Sequence, residues 1–500
     1  MKRFTENVRK KTVRNIQALA LAAALAMSLT ACGGEAAGSI SQMSVIPVGE
    51  EAAAYDTKAG DESGADGVET ASAYNGTEDS GASGGDGGLK LLCKQVDEGC
   101  HTQNGYYYIE KVATELTDGS AGVRLLYMDF ETLQEVFLCS NAGCSHNSPD
   151  CPSVLSRDDF GFYTLLFTYQ GSLYLFSKAR DNDGTARSEF VEVESAGGMN
   201  TEGTSNVLYR ADLDGTNREK VYTFDASVTV EDYVCGDENG LYMVTKKLTS
   251  NQEGVSTYFH SEERRLVFLD PDKGELSEIC SMDFGGNVSW NVVSCYGRNL
   301  VLQGTDYGRI ISDEEMFSDD DYPELYKDSS EVFACLNIDS GQLTEKYRMS
   351  NEGDRSFVIQ ENILYCSLKE GGIIKEINLD TGEERNVYSE PGSFYQVCSI
   401  IGEKLCCADF GDNWDHTYSY IDRNTGEISH SGLVNKTLGW ELDFKAVLEE
   451  DVLVVYDYEA TSSWGGSYEI TLYQHGLISQ EDLFAGNDNF RKINMVGKGW

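Results

Sequence analysis

The sequence predicts an all-β chain folded as a β-propeller, most simply with seven four-stranded blades and with six or eight blades as the alternatives. Three observations support this prediction: a pattern that returns seven times, short runs of β-branched and aromatic residues, and the lack of sustained helical periodicity. Short runs of such residues between turns are typical of strands. Four-stranded units repeated about seven times are typical of a propeller.

Most repeats start with a short turn that contains Gly or Asn and leads into an apolar run. Later turns, such as 212–215 and 380–383, contain the Asp and Gly residues that tight hairpins need. Another apolar run precedes most repeats, for example at 162–167 and 290–295, which makes four strands per unit. The seven leading runs lie at 104–109, 171–176, 239–244, 299–302, 362–366, 403–407 and 451–456.

The repeats are unevenly spaced, and the extra length falls at 179–205, 247–263 and 305–330. We expect these three segments to be loops on one face or the other, because loops on a rigid scaffold often carry binding residues. The C-terminal run 490–497 looks like a first strand without a successor. We expect it to complete the first blade and close the ring.

The turns also carry a family resemblance. The run Asp212-Leu213-Asp214-Gly215-Thr216-Asn217 resembles the Asp-rich repeats of TolB-like propellers, and Asp380-Thr381-Gly382-Glu383 is similar to the quinoprotein-like type. The resemblance covers Leu89 to Trp500. It implies the propeller fold, and no enzymatic signature comes with it.

The first thirty-two residues combine a basic head, an apolar run from about Ile16 to Leu29 and the ending Leu29-Thr30-Ala31-Cys32. These features are typical of a secretory signal, here 1–31, and the apolar run is too short for a membrane span. The ending resembles the lipobox of bacterial lipoproteins. That resemblance implies cleavage before Cys32, diacylglycerol on its sulfur and anchoring at the extracellular face of the cell membrane. The alternative is a plain signal peptide followed by a chance cysteine.

Residues 32–88 are predicted to be the lipidated Cys32 and a disordered linker, and residues 89–500 the propeller domain. The linker is rich in Gly, Ser and Ala and carries eleven acids against Lys58 alone. Such a segment cannot bury enough apolar surface to offset its ordering entropy. The formal net charge of the whole chain is −44, which repels nucleic acid and anionic lipid head groups. We therefore expect membrane attachment through the lipid and no nucleic-acid partner.

The chain has 14 cysteines, so lipidation of Cys32 leaves an odd number that cannot all pair within the chain. Three cysteines and a histidine cluster at Cys139, Cys144, His146 and Cys151. Three thiolates and one imidazole can close a tetrahedral, structural zinc site. One disulfide and a set of unpaired thiols are the alternatives. The cluster resembles a cysteine–histidine motif of exported propeller-like lipoproteins from anaerobic Gram-positive bacteria, and that resemblance gives no activity.

No catalytic machinery is visible in the sequence. The Gly-x-Ser-x-Gly match at 81–85 lies in the predicted linker, without a strand before it or a helix after it. The sequence therefore favours a non-catalytic envelope protein whose propeller binds a glycan, a peptide or a partner protein. The alternative is a surface polysaccharide hydrolase or lyase with its site at the axial mouth. Paired acidic and basic groups at that mouth would favour the enzyme, and an aromatic or polar loop face would favour binding.

Overall fold

The computed structural model is almost entirely β and forms seven four-stranded blades in a ring, which confirms the predicted seven-bladed propeller. The structure describes residues 88–94, 99–110, 112–160, 164–177, 206–225, 228–253, 256–285, 288–309, 329–350, 355–410, 416–462 and 468–497. The predicted signal peptide and nearly all of the predicted linker lie outside these ranges.

One strand, β1 (Lys90–Cys93), precedes the blades. Blade 1 contains β2 (Cys100–Thr102), β3 (Gly105–Ile109), β5 (Ala121–Asp129) and β6 (Gln134–Phe137), and the short strands β4 (Thr114–Glu115) and β7 (Val154–Ser156) also pair with β5. Blade 2 contains β8 (Thr164–Tyr169), β9 (Ser172–Ser177), β10 (Val207–Asp212) and β11 (Glu219–Thr223). Blade 3 contains β12 (Val228–Gly236), β13 (Leu241–Glu253), β14 (Ser256–Asp270) and β15 (Glu275–Ser281).

The other four blades follow in chain order. Blade 4 contains β16 (Val288–Tyr296), β17 (Asn299–Asp306), β18 (Ser330–Asn337) and β19 (Gln342–Ser350). Blade 5 contains β20 (Arg355–Gln360), β21 (Ile363–Leu368), β22 (Ile373–Asn378) and β23 (Glu384–Ser389). Blade 6 contains β24 (Tyr395–Ile401), β25 (Lys404–Phe410), β26 (His416–Asp422) and β27 (Ile428–His430). Blade 7 contains β28 (Asp443–Val447), β29 (Asp451–Ser462), β30 (Tyr468–Ser479) and β31 (Arg491–Lys492).

Two short helices occur in the described residues, α1 (Arg157–Phe160) and α2 (Gln480–Ala485). The Ser479 hydroxyl caps α2 by accepting the N–H of Asp482 at 3.1 Å, and Gly486 ends the helix with φ 75°. A helix of six residues is too short to produce a detectable period, so α2 could not be predicted from the sequence. No helix in the described ranges is long and apolar enough to cross a membrane.

Seven hydrophobic clusters join the blades, and each cluster is shared by two neighbours. Blade 7 meets blade 1 through Leu453 and Leu477 against Tyr108 and Met128, all of them buried. The six other clusters join the remaining neighbouring pairs. Since a blade is covered on both sides, its inner strands need apolar residues on both faces, which explains the unbroken apolar runs in the sequence.

We call the face that carries the connections from second to third strands, and from one blade to the next, the top face. The opposite face, with the tight turns from first to second strands, is the bottom face. Each of the three long segments predicted as loops falls, in chain order, between the second and third strands of a blade. Residues 178–205 and 310–328 lie outside the described residues.

The prediction of a loop at 247–263 is wrong. Strands β13 and β14 continue through this segment as a paired hairpin, with Lys247 opposite Glu263 and Glu253 opposite Ser256. The segment is polar and shows no apolar alternation, so strands could not be predicted there. The second and third strands of blade 7, β29 and β30, form a comparable long hairpin.

The ring closes through the C-terminal run, although not as expected. Strand β31 pairs with β30 and is the fourth strand of blade 7, so the run does not supply a strand to blade 1 as its main pairing. Beyond β31, Asn494 forms a parallel bridge with Gln134 of blade 1, and the Asn494 N–H donates to the carbonyl of Leu133 at 3.0 Å. The same run therefore completes blade 7 and then binds the edge of blade 1.

Strand β1 lies on the axial side of the ring. It pairs antiparallel with β12, the first strand of blade 3, and also contacts the first strands β8 and β16 of the neighbouring blades. At its start, the Leu89 N–H donates to the carbonyl of Gly297 at 2.6 Å. Because Gly297 lies in a bottom-face turn of blade 4, the chain enters the channel from the bottom face and rises along β1.

Candidate functional site

The cysteine–histidine cluster lies in an interruption of the outermost strand of blade 1. Strands β6 and β7 both pair with β5, one with its C-terminal half and the other with its N-terminal half. Residues 138–153, here called the Cys–His loop, leave and rejoin the sheet at a single residue of β5. The Leu138 N–H donates to the Leu125 carbonyl at 3.0 Å, and the Leu125 N–H donates to the Ser153 carbonyl at 2.7 Å. The loop therefore projects from the strand without shifting its register.

The structure brings together all four residues that the sequence analysis selected. The donor atoms of Cys139, Cys144, His146 and Cys151 lie within 4.8 Å of one another. The Cys151 Sγ lies 3.5 Å from the His146 Nδ1. Cys151 is buried and the other three are half-buried. All thirteen cysteines of the described residues are free thiols in this structure.

Backbone conformation and local polar contacts position these side chains near one another. His146 has a φ of 51°, an uncommon left-handed conformation for a side-chain-bearing residue. Its backbone N–H donates to the Cys144 Sγ at 3.4 Å, and the Cys151 Sγ lies 3.1 Å from the Ser153 Oγ. The imidazole also packs on the Phe137 ring, with centroids 4.6 Å apart. Two sulfur atoms thus have polar partners that suit a thiolate.

The thiols of the cluster differ in acidity. Burial raises the pKa of Cys139 to about 11, with Cys151 and Cys144 as neighbours that add to the rise. Burial also acts to raise the pKa of Cys151, but hydrogen bonds from Ser153 and His146 outweigh it and bring this pKa down to about 7. A thiolate at Cys151 is therefore accessible near neutral pH.

The predicted lipidation residue, Cys32, lies outside the described residues. Most cysteines beyond the cluster are buried within strands, including Cys235, Cys335, Cys366 and Cys406. Burial raises the pKa of Cys366 to about 12. In such positions a thiol acts as a small apolar group.

An aromatic platform on the top face of blade 7 was not predicted. Trp440, in the connection from blade 6 to blade 7, is 41% exposed. Its ring meets Tyr458 edge-on at 6.3 Å, and Tyr458 meets Tyr473 at 5.3 Å. We call Trp440, Tyr458 and Tyr473 the aromatic platform. Trp440 provides its exposed face, because Tyr458 is buried and Tyr473 is half-buried.

The connection that carries Trp440 is tightly held. The fully buried Asn435 donates its side-chain amide to the Trp440 carbonyl at 3.0 Å and accepts the Leu438 N–H at 2.7 Å. The Thr437 N–H donates to the Asp457 carboxylate of β29 at 3.0 Å. The sequence shows a turn here through Gly439, but only the fold shows that the indole is exposed beside two tyrosines.

A buried carboxyl group lies near the top end of blade 4. Glu331, in β18, is 5% exposed and pairs with Arg355 of blade 5 at 3.2 Å. Burial raises the pKa of Glu331 to about 7, although the Arg355 charge opposes the rise. Its other carboxylate oxygen accepts a hydrogen bond from the Gln303 amide. Both oxygens are therefore engaged inside the protein, which suits a structural ion pair better than a group that meets substrate.

No family model and no curated protein sequence matches the chain. Similar solved structures include puromycin hydrolase, with 11% identity over 80% of this chain and 53% of that chain and a TM-score of 0.43. They also include oligogalacturonate lyase from Vibrio parahaemolyticus, with 13% identity, 76% and 90% coverage and a TM-score of 0.37. TolB from Acinetobacter baumannii matches with 12% identity, 79% and 81% coverage and a TM-score of 0.30. The chain spans about half the length of puromycin hydrolase, and TolB and other β-propeller proteins are among the similar structures.

Proposed function

We propose that this chain is a lipid-anchored binding protein on the extracellular face of the cell membrane, and that its propeller binds a glycan without catalysing a reaction. The aromatic platform is the observation that carries this proposal. A pyranose ring presents a face of C–H bonds that packs on a flat indole, while neighbouring hydroxyls bind its rim. An exposed Trp supplies a large contact area at low conformational-entropy cost, and the hydrogen bonds that hold the loop of Trp440 lower that cost further.

The position of β1 indicates which face of the propeller a tether would join. Gly88 lies against the bottom-face turn of blade 4, where a Cβ on Gly88 would be 3.5 Å from the Cα of Gly297. A membrane tether that ends at residue 88 would therefore attach to the bottom face. The top face, which carries the aromatic platform and the two long hairpins, would be opposite the face that the tether joins. As a flexible coil, a tether of 56 residues would reach on the order of 40 Å.

The enzyme alternative rests on one observation, the pKa of about 7 at the buried Glu331. A carboxyl group with such a pKa can serve as a general acid. Its 5% exposure and its two internal hydrogen-bonding partners, Gln303 and Arg355, count against contact with substrate. A hydrolase or lyase that used Glu331 would need these bonds to open.

The binding proposal is tested with the mature protein on an array of cell-wall and plant oligosaccharides, followed by titration with the best oligosaccharide found. Trp440→Ala should lower the affinity at least tenfold, which is about 1.4 kcal/mol. The matched control is Val136→Ala, since Val136 is 45% exposed on the outermost strand of blade 1 and should keep full affinity. Equal affinity of both variants, or binding to a peptide array only, would refute the proposal.

The same samples distinguish binding from catalysis. Mass spectrometry of the bound oligosaccharide after prolonged incubation should show an intact molecule. Cleavage products that disappear with Glu331→Gln would establish the enzyme alternative instead.

Anchoring is tested separately by metabolic labelling with a fatty acid. The wild type should be labelled and Cys32→Ser should not, whereas Cys280→Ser, which alters a half-buried thiol of β15, should keep the label. An unlabelled wild type would refute the lipid anchor.

A further inference from the structure

We propose that Cys139, Cys144, His146 and Cys151 bind one Zn²⁺ in a closed structural site that holds the interrupted outermost strand of blade 1 together. This metal site is independent of the ligand proposed for the top face. Donor geometry, the chemistry of the donor set and the position of the loop in the sheet support this metal site.

The donor geometry fits a tetrahedral ion. Zinc–sulfur bonds of about 2.3 Å and zinc–nitrogen bonds of about 2.0 Å place neighbouring donors roughly 3.6 Å apart. The Cys151 Sγ and the His146 Nδ1 are 3.5 Å apart, and no two donor atoms of the four residues exceed 4.8 Å. The four donors are therefore already near the separations that a bound zinc ion requires.

The donor set selects the metal and its role. Soft thiolates with one imidazole favour zinc over the hard cations Mg²⁺ and Ca²⁺, which take oxygen ligands. Four protein donors fill the tetrahedron, so no position remains for water or substrate, as in structural zinc sites. Three thiolates and a neutral imidazole leave the site with a net charge of −1.

The Cys–His loop lacks a large core of its own. Only Leu116, Cys151 and Val154 are fully buried in its cluster, with Cys139 and Cys144 packed against them. A small apolar cluster stabilises a loop weakly, and small folded units of this kind are commonly held by a metal or by disulfides. Zinc binding would supply the missing stability, because the ordered site exists only in the folded chain.

Hydrogen bonds connect the Cys–His loop to the rest of blade 1 and to blade 2, and an ordered loop would keep them in place. The Thr117 N–H donates to the Asn147 carbonyl at 2.8 Å, which fixes the loop to the top-side connection of blade 1. The Arg218 guanidinium of blade 2 donates to the Pro152 and Val154 carbonyls at 3.3 Å and 3.2 Å. A loop ordered by zinc would thus keep the contact between blades 1 and 2.

The test measures zinc in the full-length mature protein, purified without oxygen and without chelators. We expect about one zinc per chain for the wild type, and less than a tenth of that for Cys144→Ser. Cys280→Ser is the matched control and should keep its zinc, because this half-buried thiol lies in blade 3, outside the cluster. Replacement by Co²⁺ should give the visible absorption and the sulfur-to-metal charge transfer of a tetrahedral thiolate site.

A second measurement covers the case in which Cys144→Ser does not fold. Removing zinc from the wild type with a chelator should lower the Tm by about 5 °C, and added Zn²⁺ should restore it. Intact-mass measurement before and after reduction identifies the competing arrangement, since a disulfide removes about two mass units. A disulfide within the cluster, metal-free reduced thiols, or zinc retained by Cys144→Ser would each overturn the proposal.

Discussion

The Glu135 carboxylate accepts the backbone N–H of Gly497 at 2.6 Å, although 362 positions separate the two residues in sequence. The same oxygen accepts the N–H of Val496 at 2.6 Å, and the other oxygen accepts the Tyr108 hydroxyl. Glu135 is buried in blade 1, and burial raises its pKa against the effect of these hydrogen bonds. One buried side chain therefore fastens the C-terminal run to the first blade and closes the ring.

The first prediction concerns this closure. Glu135→Ala should lower the free energy of unfolding by about 2–3 kcal/mol, because it leaves buried donors without their acceptor. Glu131→Ala, in the exposed turn just before β6, should change it by less than about 0.5 kcal/mol. Urea unfolding followed by tryptophan fluorescence gives both values, and similar losses for the two variants would contradict the role of Glu135.

Blade number and strand positions could be predicted because each blade repeats the same local chemistry. The predicted apolar run at 162–167 overlaps β8, whose six residues are all buried, and the run at 290–295 lies within β16. Features outside the repeat could not be predicted. Pairing of β1 with β12 joins residues about 145 positions apart and leaves no periodic pattern near Lys90.

The candidate metal residues could be selected from the sequence because Cys and His are rare and their spacing is short. The split of the outermost strand could not, since Leu138 and Ser153 meet the same residue, Leu125, only in the folded sheet. The aromatic platform could not be predicted either, because it depends on the solvent exposure of Trp440, which the sequence does not show. Trp440 is 41% exposed and Trp290 is 7% exposed, yet each is followed directly by a polar residue, Glu441 or Asn291.

The second prediction compares two glycines of blade 5 that both have positive φ. A Cβ on Gly372 would lie 1.9 Å from the Glu390 carbonyl oxygen, whereas a Cβ on Gly382 would meet nothing within 4 Å. Gly382→Ala should lower the free energy of unfolding by about 1–2 kcal/mol, because alanine disfavours the left-handed backbone conformation. Gly372→Ala should lower the free energy of unfolding by clearly more, because the Glu390 carbonyl must also move. Equal decreases for the two variants, measured by chemical denaturation, would show that the backbone around Gly372 adapts freely.

The third prediction concerns β1. Leu92 is 6% exposed and packs in the cluster that joins blades 2 and 3. Leu92→Ala should lower the free energy of unfolding by about 2–4 kcal/mol, as for other buried leucines. Val496→Ala, at a site that is 45% exposed, should cost less than about 0.5 kcal/mol. A negligible effect of Leu92→Ala would mean that β1 contributes little to the stability of the ring.

The fourth prediction concerns His475, which is fully buried in β30 next to the ring of Tyr108, with centroids 6.2 Å apart. Its Nδ1 lies 3.2 Å from the Tyr473 carbonyl and therefore carries the proton, while its Nε2 has no hydrogen-bond partner among the described residues. Burial lowers the pKa of His475 to about 3, and the Lys445 charge adds to the effect. The histidine is therefore neutral in the folded protein.

The sign of the pH dependence follows from that lowered pKa. The unfolded chain binds a proton at His475 below a pH of about 6.5, but the folded chain does so only near pH 3, so acid favours unfolding. The stability from this group is fully present above pH 6.5 and is lost as the pH falls towards 3. Between these two pKa values, one bound proton lowers the free energy of unfolding by about 1.4 kcal/mol for each unit by which the pH falls.

The variant His475→Phe tests this prediction, because it keeps an aromatic ring next to Tyr108 and removes the titrating group. Its unfolding free energy should equal that of the wild type within about 1 kcal/mol at pH 7.5 and exceed it increasingly between pH 6 and pH 4. If the unfolding free energies of the two proteins instead changed in parallel between pH 6 and pH 4, His475 would be protonated in the folded state.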